Sequence, residues 1–260
     1  MRVHLLSSAL LFCCIVSSAA AVETRLRLGP SELGGDAGII SKYVDEGATR
    51  IDAATGFVSG TARWWNIGLS VDAFIALDDS NRSNIDAGET AEIAARIDYL
   101  YEIPEMLQII PYFETSFYPA HSSGDEPYYL GVDVWYLLPW EGFEVGGGLA
   151  YDLDDDAGLR GALAARQFIQ PDYVDLAFYQ ALRFGSRGYR EHLIGLRRNG
   201  LTVFELGASA GIPLPLEDSY LSIFAEGHYW LESRSRDAVH RSAALITGLS
   251  FTYYTRSPGW

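Results

Sequence analysis

The chain has 260 residues and a formal net charge of −15, and it contains 26 Gly, 16 Tyr and 6 Trp residues. This length allows one large all-β domain or two smaller domains, and the glycine- and aromatic-rich composition with a single lysine favours a β protein over a helical one. The negative charge argues against nucleic acid and anionic membrane surfaces as electrostatic partners, because both would be repelled.

The N-terminus is typical of a secretory signal peptide. Arg2 supplies a positive start, Leu5 to Val16 an apolar segment, and Ser17 to Ala21 a small-residue cleavage site. The apolar segment is shorter than the ~20 residues of a membrane-spanning helix. We therefore expect export, with residues 1–21 as a signal peptide and residues 22–260 as the folded domain.

Both cysteines, Cys13 and Cys14, lie inside the apolar segment of this signal peptide. The mature protein is therefore predicted to have no thiol, no disulfide and no cysteine-based metal site. An exported domain of this size must then be stabilised by its own core or by a membrane.

Alternation of apolar with small or polar residues recurs through the rest of the chain. It is clear from Ile67 to Leu77, and it returns after a polar loop from Ala91 to Tyr101. Alternation with a period of two predicts β-strands whose two faces have different environments. Further strands are predicted at Leu107 to Phe117, Leu130 to Leu138, Phe143 to Tyr151, Leu159 to Gln167, Val174 to Arg183, Val203 to Ile212, Leu221 to Leu231 and Ala243 to Tyr254.

In these strands almost every charged side chain falls on one parity, and the other parity is apolar. The hairpin that turns at Pro139 to Gly142 shows this well, since Asp133 and Glu144 share one face of the strand pair and the other face carries no charged residue. We predict that the polar parity lines the lumen of a barrel at Asp72, Glu92, Arg96, Asp98, Glu114, Asp133, Trp135, Glu144, Arg160, Arg166, Asp175, Arg183, Glu205, Glu226 and His228.

The apolar parity is suited to lipid. Each run has about 10 residues, the length of a tilted strand that crosses a bilayer. An outward Arg or Lys at the bilayer midplane would cost ~2–4 kcal/mol, which explains the absence of such residues from this face. Large aromatic residues lie near the strand ends, where an interfacial girdle would place them, at Trp64, Tyr99, Tyr101, Phe117, Tyr136, Phe143, Tyr151, Tyr229 and Tyr253.

Short and long connections alternate along the chain, as periplasmic turns and external loops do in outer-membrane barrels. With the segments Gly38 to Val44, Arg50 to Trp64 and Tyr189 to Arg198, the strands would number thirteen, whereas bacterial barrels normally have an even number. The predicted fold is therefore all-β, a single antiparallel up-and-down transmembrane β-barrel of about 12 strands, with 14 as the alternative.

The chain resembles bacterial outer-membrane β-barrels. Ser41 to Gly47, followed by Gly56 to Gly60, resembles the opening strand of a family of exported barrels of unassigned function. The resemblance implies a bacterial outer-membrane location, contact with membrane lipid and lipopolysaccharide, and insertion by the assembly machinery of that membrane. Those families often end in an aromatic residue; this chain ends in Trp260, although Ser257 to Gly259 interrupts the alternation.

Two patterns resemble catalytic motifs. Gly207 to Gly211 fits the G-x-S-x-G nucleophile elbow, but it lies inside an alternating strand and Pro213 follows, so small-residue strand packing is the better interpretation. His121 and Ser123, with Glu126 nearby, are similar to the His/Ser arrangement of lipid A deacylase barrels, although they lie in a loop here. An ordinary polar loop is the expected structure, and we predict no catalytic residue.

Two patterns concern metals. Asp152 to Gly158 begins like a calcium loop but lacks the glycine at position 6 and the bidentate Glu at position 12, so a solvated turn is expected. Glu226, His228 and Trp230 share one strand face, and two candidate ligands do not make a site without partners from elsewhere. No metal or cofactor is predicted.

Three functional hypotheses follow. The first is a narrow diffusion channel for small cationic or neutral solutes, or a structural barrel, because interior acids outnumber interior arginines. The second is a barrel enzyme that modifies lipid or lipopolysaccharide. The third is a soluble periplasmic β-sandwich that binds a ligand.

Overall fold

The computed structural model describes residues 32–45, 48–79, 85–120, 126–140, 142–154, 158–171, 173–194, 196–216, 218–239 and 242–256. The strands are β1 (Glu32–Ile40), β2 (Tyr43–Asp45), β3 (Ala48–Ile51), β4 (Thr55–Trp64), β5 (Ile67–Ala76), β6 (Thr90–Tyr99), β7 (Tyr101–Ile103), β8 (Leu107–Phe117), β9 (Tyr128–Leu137), β10 (Phe143–Asp152), β11 (Leu159–Ile169), β12 (Asp175–Gly185), β13 (Gly200–Pro213), β14 (Ser219–Trp230) and β15 (Ala243–Arg256). The helices are α1 (Arg187–Ile194) and α2 (Ser233–Val239).

The strands form a closed antiparallel barrel of 12 strands. Strands β6 and β7 count as one, because they are interrupted only at Leu100 and both pair with β8. The first strand closes the barrel by pairing with β4 on one side and with the last strand, β15, on the other. The prediction of a 12-stranded all-β barrel is confirmed.

One of the thirteen predicted strands, Tyr189 to Arg198, is wrong. Its first part lies in α1, and its polar residues fall on both parities because that segment does not separate two environments. The predicted strand at Gly38 to Val44 is also divided. Its first residues end β1, and Tyr43 begins the two-stranded hairpin of β2 and β3.

The outer surface of the barrel is an apolar belt. In the described barrel strands the outward parity carries no charged side chain. Leu163 is 63% exposed and Ile223 is 60% exposed, and so continuous an exposed apolar surface indicates contact with lipid. Because one sheet closes on itself and no second sheet covers the belt within the described residues, the β-sandwich hypothesis is wrong.

The two ends of the barrel differ. One end carries short turns, and three large exposed aromatic residues, Trp64, Trp65 and Trp140, lie there. The other end carries longer connections, which include the β2–β3 hairpin and both helices. The predicted asymmetry between short turns and long loops is therefore present.

Among the described residues, no helix is both long and apolar enough to cross a membrane.

Candidate functional site

The residues predicted to line the lumen all lie on barrel strands, and their side chains are enclosed by the barrel. Arg96, Asp98 and Asp133 are partly buried. The others are buried, namely Asp72, Glu92, Glu114, Trp135, Glu144, Arg160, Arg166, Asp175, Arg183, Glu205, Glu226 and His228. The period-two geometry of the strands puts these polar side chains opposite the apolar belt.

Three arginines lie over aromatic rings on one side of the interior. The guanidinium carbon of Arg96 is 3.7 Å from the centroid of the Tyr112 ring. Arg160 stands 3.7 Å from the Tyr129 centroid, and Arg166 stands 3.9 Å from the Trp135 centroid. Stacking of this kind holds the planar guanidinium flat against the wall and favours Arg over Lys.

The same arginines are ion-paired. Arg160 Nη2 donates to Glu114 Oε1 at 2.5 Å, and Arg96 Nη2 donates to Asp133 Oδ2 at 2.8 Å. Arg96 also approaches Glu114 at 3.8 Å, so Glu114 connects both arginines.

Farther along the same side, Arg166 Nε donates to Glu144 Oε2 at 2.5 Å. We call the six paired residues on this side of the interior the arginine wall, namely Arg96, Arg160 and Arg166 with Glu114, Asp133 and Glu144. Its buried carboxylates are compensated by cations, as buried charges require.

Glycines on β9 and β10 make room for the side chains of this wall. A Cβ at Gly146 would lie 2.7 Å from the Trp135 ring, and one at Gly148 would lie 2.1 Å from Asp133 Oδ1. A Cβ at either position would clash at these distances, so the side chains of Trp135 and Asp133 pack directly against the backbone of Gly146 and Gly148. The Gly146 to Gly148 run of the sequence is therefore a packing feature.

The neighbouring side of the interior, which meets the arginine wall where β5 pairs with β6, is acidic. Asp36 on β1, Ser59 on β4 and Asp72 on β5 are register partners in one row, and all three are buried. Thr252 donates to Asp36 at 3.1 Å. We call the inward faces of β1, β4 and β5 the acidic wall. The only cation of these fully described strands, Arg63, lies near the short turns and donates to Asp98 at 2.7 Å.

A third cluster joins β12, β13 and β14. Glu205 and His228 are register partners, and Glu226 lies two residues before His228 on the same face. Arg183 Nε donates to Glu205 Oε1 at 2.7 Å, and Tyr179 donates to Glu205 Oε2 at 3.2 Å. The structure thus brings to Glu226 and His228 a partner from another strand, which the sequence pattern on β14 alone did not reveal.

The β2–β3 hairpin folds into the barrel beside the acidic wall, a feature that sequence reasoning missed. Tyr43 donates to Glu92, and the Tyr43 and Phe74 rings stack with centroids 4.1 Å apart. Val44 and Ile51 are fully buried in the same apolar cluster. The sequence signal that could have revealed this inward fold is the presence of the apolar residues Tyr43, Val44 and Ile51 in a connection between barrel strands.

The helices pack at the same end of the barrel. Arg190 of α1 is fully buried, and it donates to Glu232 at 2.7 Å and to Ser235 of α2 at 2.8 Å. These two hydrogen bonds connect the β12–β13 and β14–β15 connections at the loop end.

Part of the interior is accessible to water. The side chains of Arg96 and Asp133 are 23% and 25% exposed, and those of Arg63 and Asp98 are 17% and 13% exposed. These four charged side chains are therefore more exposed than the other charged side chains of the predicted lumen, which are buried.

The catalytic and calcium motifs gain no support. Gly207 to Gly211 lies within β13 with Ser209 buried, and a nucleophile elbow needs a strand-to-helix turn, so that motif is excluded. His121 and Ser123 lie outside the described residues. Residues 155–157 of the acidic loop also lie outside them, and Asp152 accepts a local hydrogen bond from the Asp154 amide at 3.1 Å.

The closed barrel and its lipid-facing belt define an outer-membrane β-barrel protein. The sequence matches no family model and no curated protein.

Solved structures show the same fold. The NanC porin aligns with a TM-score of 0.56 at 12% identity, over 85% of this chain and 98% of the porin chain. An outer membrane channel from Pseudomonas putida F1 aligns with a TM-score of 0.50 at 10% identity, over 88% of this chain and 96% of the channel. The translocator domain of the autotransporter NalP from Neisseria meningitidis aligns with a TM-score of 0.50 at 11% identity, over 95% of this chain and 97% of that domain. At such identities the likeness shows the fold alone.

Proposed function

We propose that the protein is a narrow outer-membrane diffusion channel for small cationic or neutral solutes. The observation that carries the proposal is the water-accessible group of Arg63, Arg96, Asp98 and Asp133 inside a closed barrel. A barrel filled only for stability would enclose its charges fully, because exposed interior charge adds little to stability.

The sign of the selectivity follows from the interior charges. Each arginine of the arginine wall is matched by a carboxylate, so that wall contributes little net charge. The acidic wall adds Asp36 and Asp72, and Glu92 lies close to it. Rings of Asp and Glu favour cations over anions in pores.

Similar structures support a channel over an enzyme. Two of the three barrels reported above are described as a porin and an outer membrane channel. In this proposal the short turns face the periplasm, and the long loops face the exterior and lipopolysaccharide. Assembly machinery of the outer membrane would insert the chain.

Planar-bilayer recording on the refolded mature chain tests the proposal. We expect conductance steps, and in a salt gradient a reversal potential of the sign that marks cation preference. Asp133→Asn removes the nearer of the two carboxylates beside Arg96 and should shift the reversal potential toward anion preference. Glu105→Gln, in a short turn outside the lumen, is the matched control and should leave it unchanged.

A purely structural barrel is the second candidate, and the inward β2–β3 hairpin and the α1–α2 contact favour it. Refolded protein that shows heat-modifiable gel mobility but no conductance at any voltage would establish that role and overturn the channel.

A further inference from the structure

The Glu205, Glu226 and His228 cluster has the composition of a metal site. One ligand atom from each residue lies within 4.8 Å of the others, and all three residues are at most 1% exposed. Imidazole nitrogen with carboxylate oxygen is a donor set suited to Zn²⁺ and similar transition-metal dications.

The cluster also holds buried polar atoms without hydrogen bonds. His228 Nε2 lies 2.8 Å from Glu226 Oε1, and His228 Nδ1 lies 3.3 Å from Glu205 Oε1. Neither contact has hydrogen-bond geometry, and both ring nitrogens and Glu226 Oε1 are without a hydrogen-bond partner. Leaving such groups unsatisfied in the buried part of the interior is costly, and a cation that takes one ring nitrogen together with the two carboxylates would lower that cost.

Distances within the cluster fit a cation that draws the ligands together. Ligand atoms bound to one Zn²⁺ at about 2.0–2.1 Å lie roughly 3 Å apart from one another. The 3.3 Å separation of His228 Nδ1 and Glu205 Oε1 already approaches this value. The widest separation, up to 4.8 Å, requires a side-chain movement of about 1–2 Å, which rotamer adjustment supplies.

Neighbouring side chains orient the candidate ligands. Tyr179 and Arg183 each donate to one oxygen of Glu205 and fix that carboxylate, as outer partners do in metal sites. A carboxylate oxygen has two lone pairs, so Glu205 Oε1 can accept from Arg183 and still face the ion. Arg183 offsets one of the two carboxylate charges, and the remaining negative charge favours a cation.

We propose that Glu205, Glu226 and His228 bind a transition-metal dication of the zinc class inside the barrel. This site goes beyond the channel function and does not depend on it. Its ligands lie on β13 and β14, so a bound ion would link these two strands and stiffen that part of the barrel.

Calorimetric titration of the untagged, refolded and chelator-washed mature chain with ZnCl₂ tests the site. We expect one Zn²⁺ per chain. His228→Gln and Glu226→Gln should each weaken binding by at least about 100-fold, and Tyr179→Phe by about 10-fold, the range for outer partners.

Asp72→Asn is the control, because it changes a buried interior carboxylate of the acidic wall that is not among the three candidate ligands, and its affinity should equal that of the wild type. Glu226→Gln leaves every histidine in place, so it separates this site from any other histidine, and it also carries the test if His228→Gln fails to refold. No binding by the wild type, or equal affinity in a folded ligand variant, would overturn the proposal and leave a protonated imidazole between two carboxylates.

Discussion

The arginine wall and the acidic wall enclose the same lumen with opposite electrostatics. On the arginine wall, Glu144 meets Arg166 at 2.5 Å, and the guanidinium lies on Trp135. On the acidic wall, Asp36 and Asp72 flank Ser59, and the described residues of that register row contain no arginine. Asp72 and Glu144 are similarly buried, but within the described part of the chain only Glu144 has an arginine at ion-pair distance.

The difference separates stability from function. Removing one partner of a buried ion pair destabilises the folded state, because the other charge stays buried alone. A carboxylate that is buried without a cation already raises the energy of the folded state. Arg166 and Glu144 thus depend on each other in the folded barrel, whereas the buried carboxyl group of Asp72 is kept at a cost in stability. Retaining that charge fits the proposed attraction of cations.

The largest expected effect comes from a matched pair of substitutions. Glu144→Gln leaves Arg166 buried without its carboxylate and should lower the free energy of unfolding by about 3 kcal/mol, the lower end for a broken buried pair. Asp72→Asn removes a buried charge and should leave stability unchanged or raise it. Urea unfolding in lipid vesicles, followed by tryptophan fluorescence, measures both. Equal losses in the two variants would mean that the walls do not differ.

The next effect concerns the hairpin beside the acidic wall. Tyr43→Phe removes the hydrogen bond to Glu92 and should destabilise the inward position of β2 and β3 by about 1.5–3 kcal/mol. If the hairpin restricts the lumen, single-channel recording should show longer open times. Unchanged gating with reduced stability would assign the hairpin a packing role only.

A smaller effect is expected at the glycines of the arginine wall. Gly146→Ala puts a Cβ 2.3 Å from the Val134 carbonyl oxygen and 2.7 Å from the Trp135 ring, so both β9 and Trp135 must shift, which should cost about 1–3 kcal/mol through overpacking. Gly60→Ala is the control, since its Cβ would meet nothing within 4 Å, and its unfolding free energy should stay within about 0.5 kcal/mol of the wild type. The same urea experiment measures both, and a tolerated Gly146→Ala would contradict the tight fit of Trp135.

The smallest effect is expected outside the walls. Arg197 is ion-paired with Glu191 at the loop end, but its side chain is 72% exposed. Arg197→Ala should therefore change the unfolding free energy by less than about 1 kcal/mol, the usual value of exposed pairs. A loss as large as that of Glu144→Gln would show that exposure does not distinguish these ion pairs.

Alternation in the sequence by itself predicted the barrel and the inward face of each strand, and the rule of even strand numbers then favoured 12 strands over the thirteen counted. A charged side chain is costly on the lipid-facing parity of a strand, so residues such as Asp133 and Glu144 fall on the inward face. This constraint can be recognised in the sequence alone. It did not identify α1, because the Tyr189 segment follows no lipid-imposed pattern once the chain leaves the membrane. Nor did it reveal the inward fold of Tyr43.

Tertiary structure alone decided which interior charges meet. Arg160 and Glu114 are 46 residues apart, and their contact depends on the register of β8, β9, β10 and β11 around the barrel. Glu205 likewise reaches His228 only because β13 and β14 pair in one register. Parity is a property of each strand, whereas register depends on turns and packing between strands, and that physical difference separates what the sequence determined from what the fold decided.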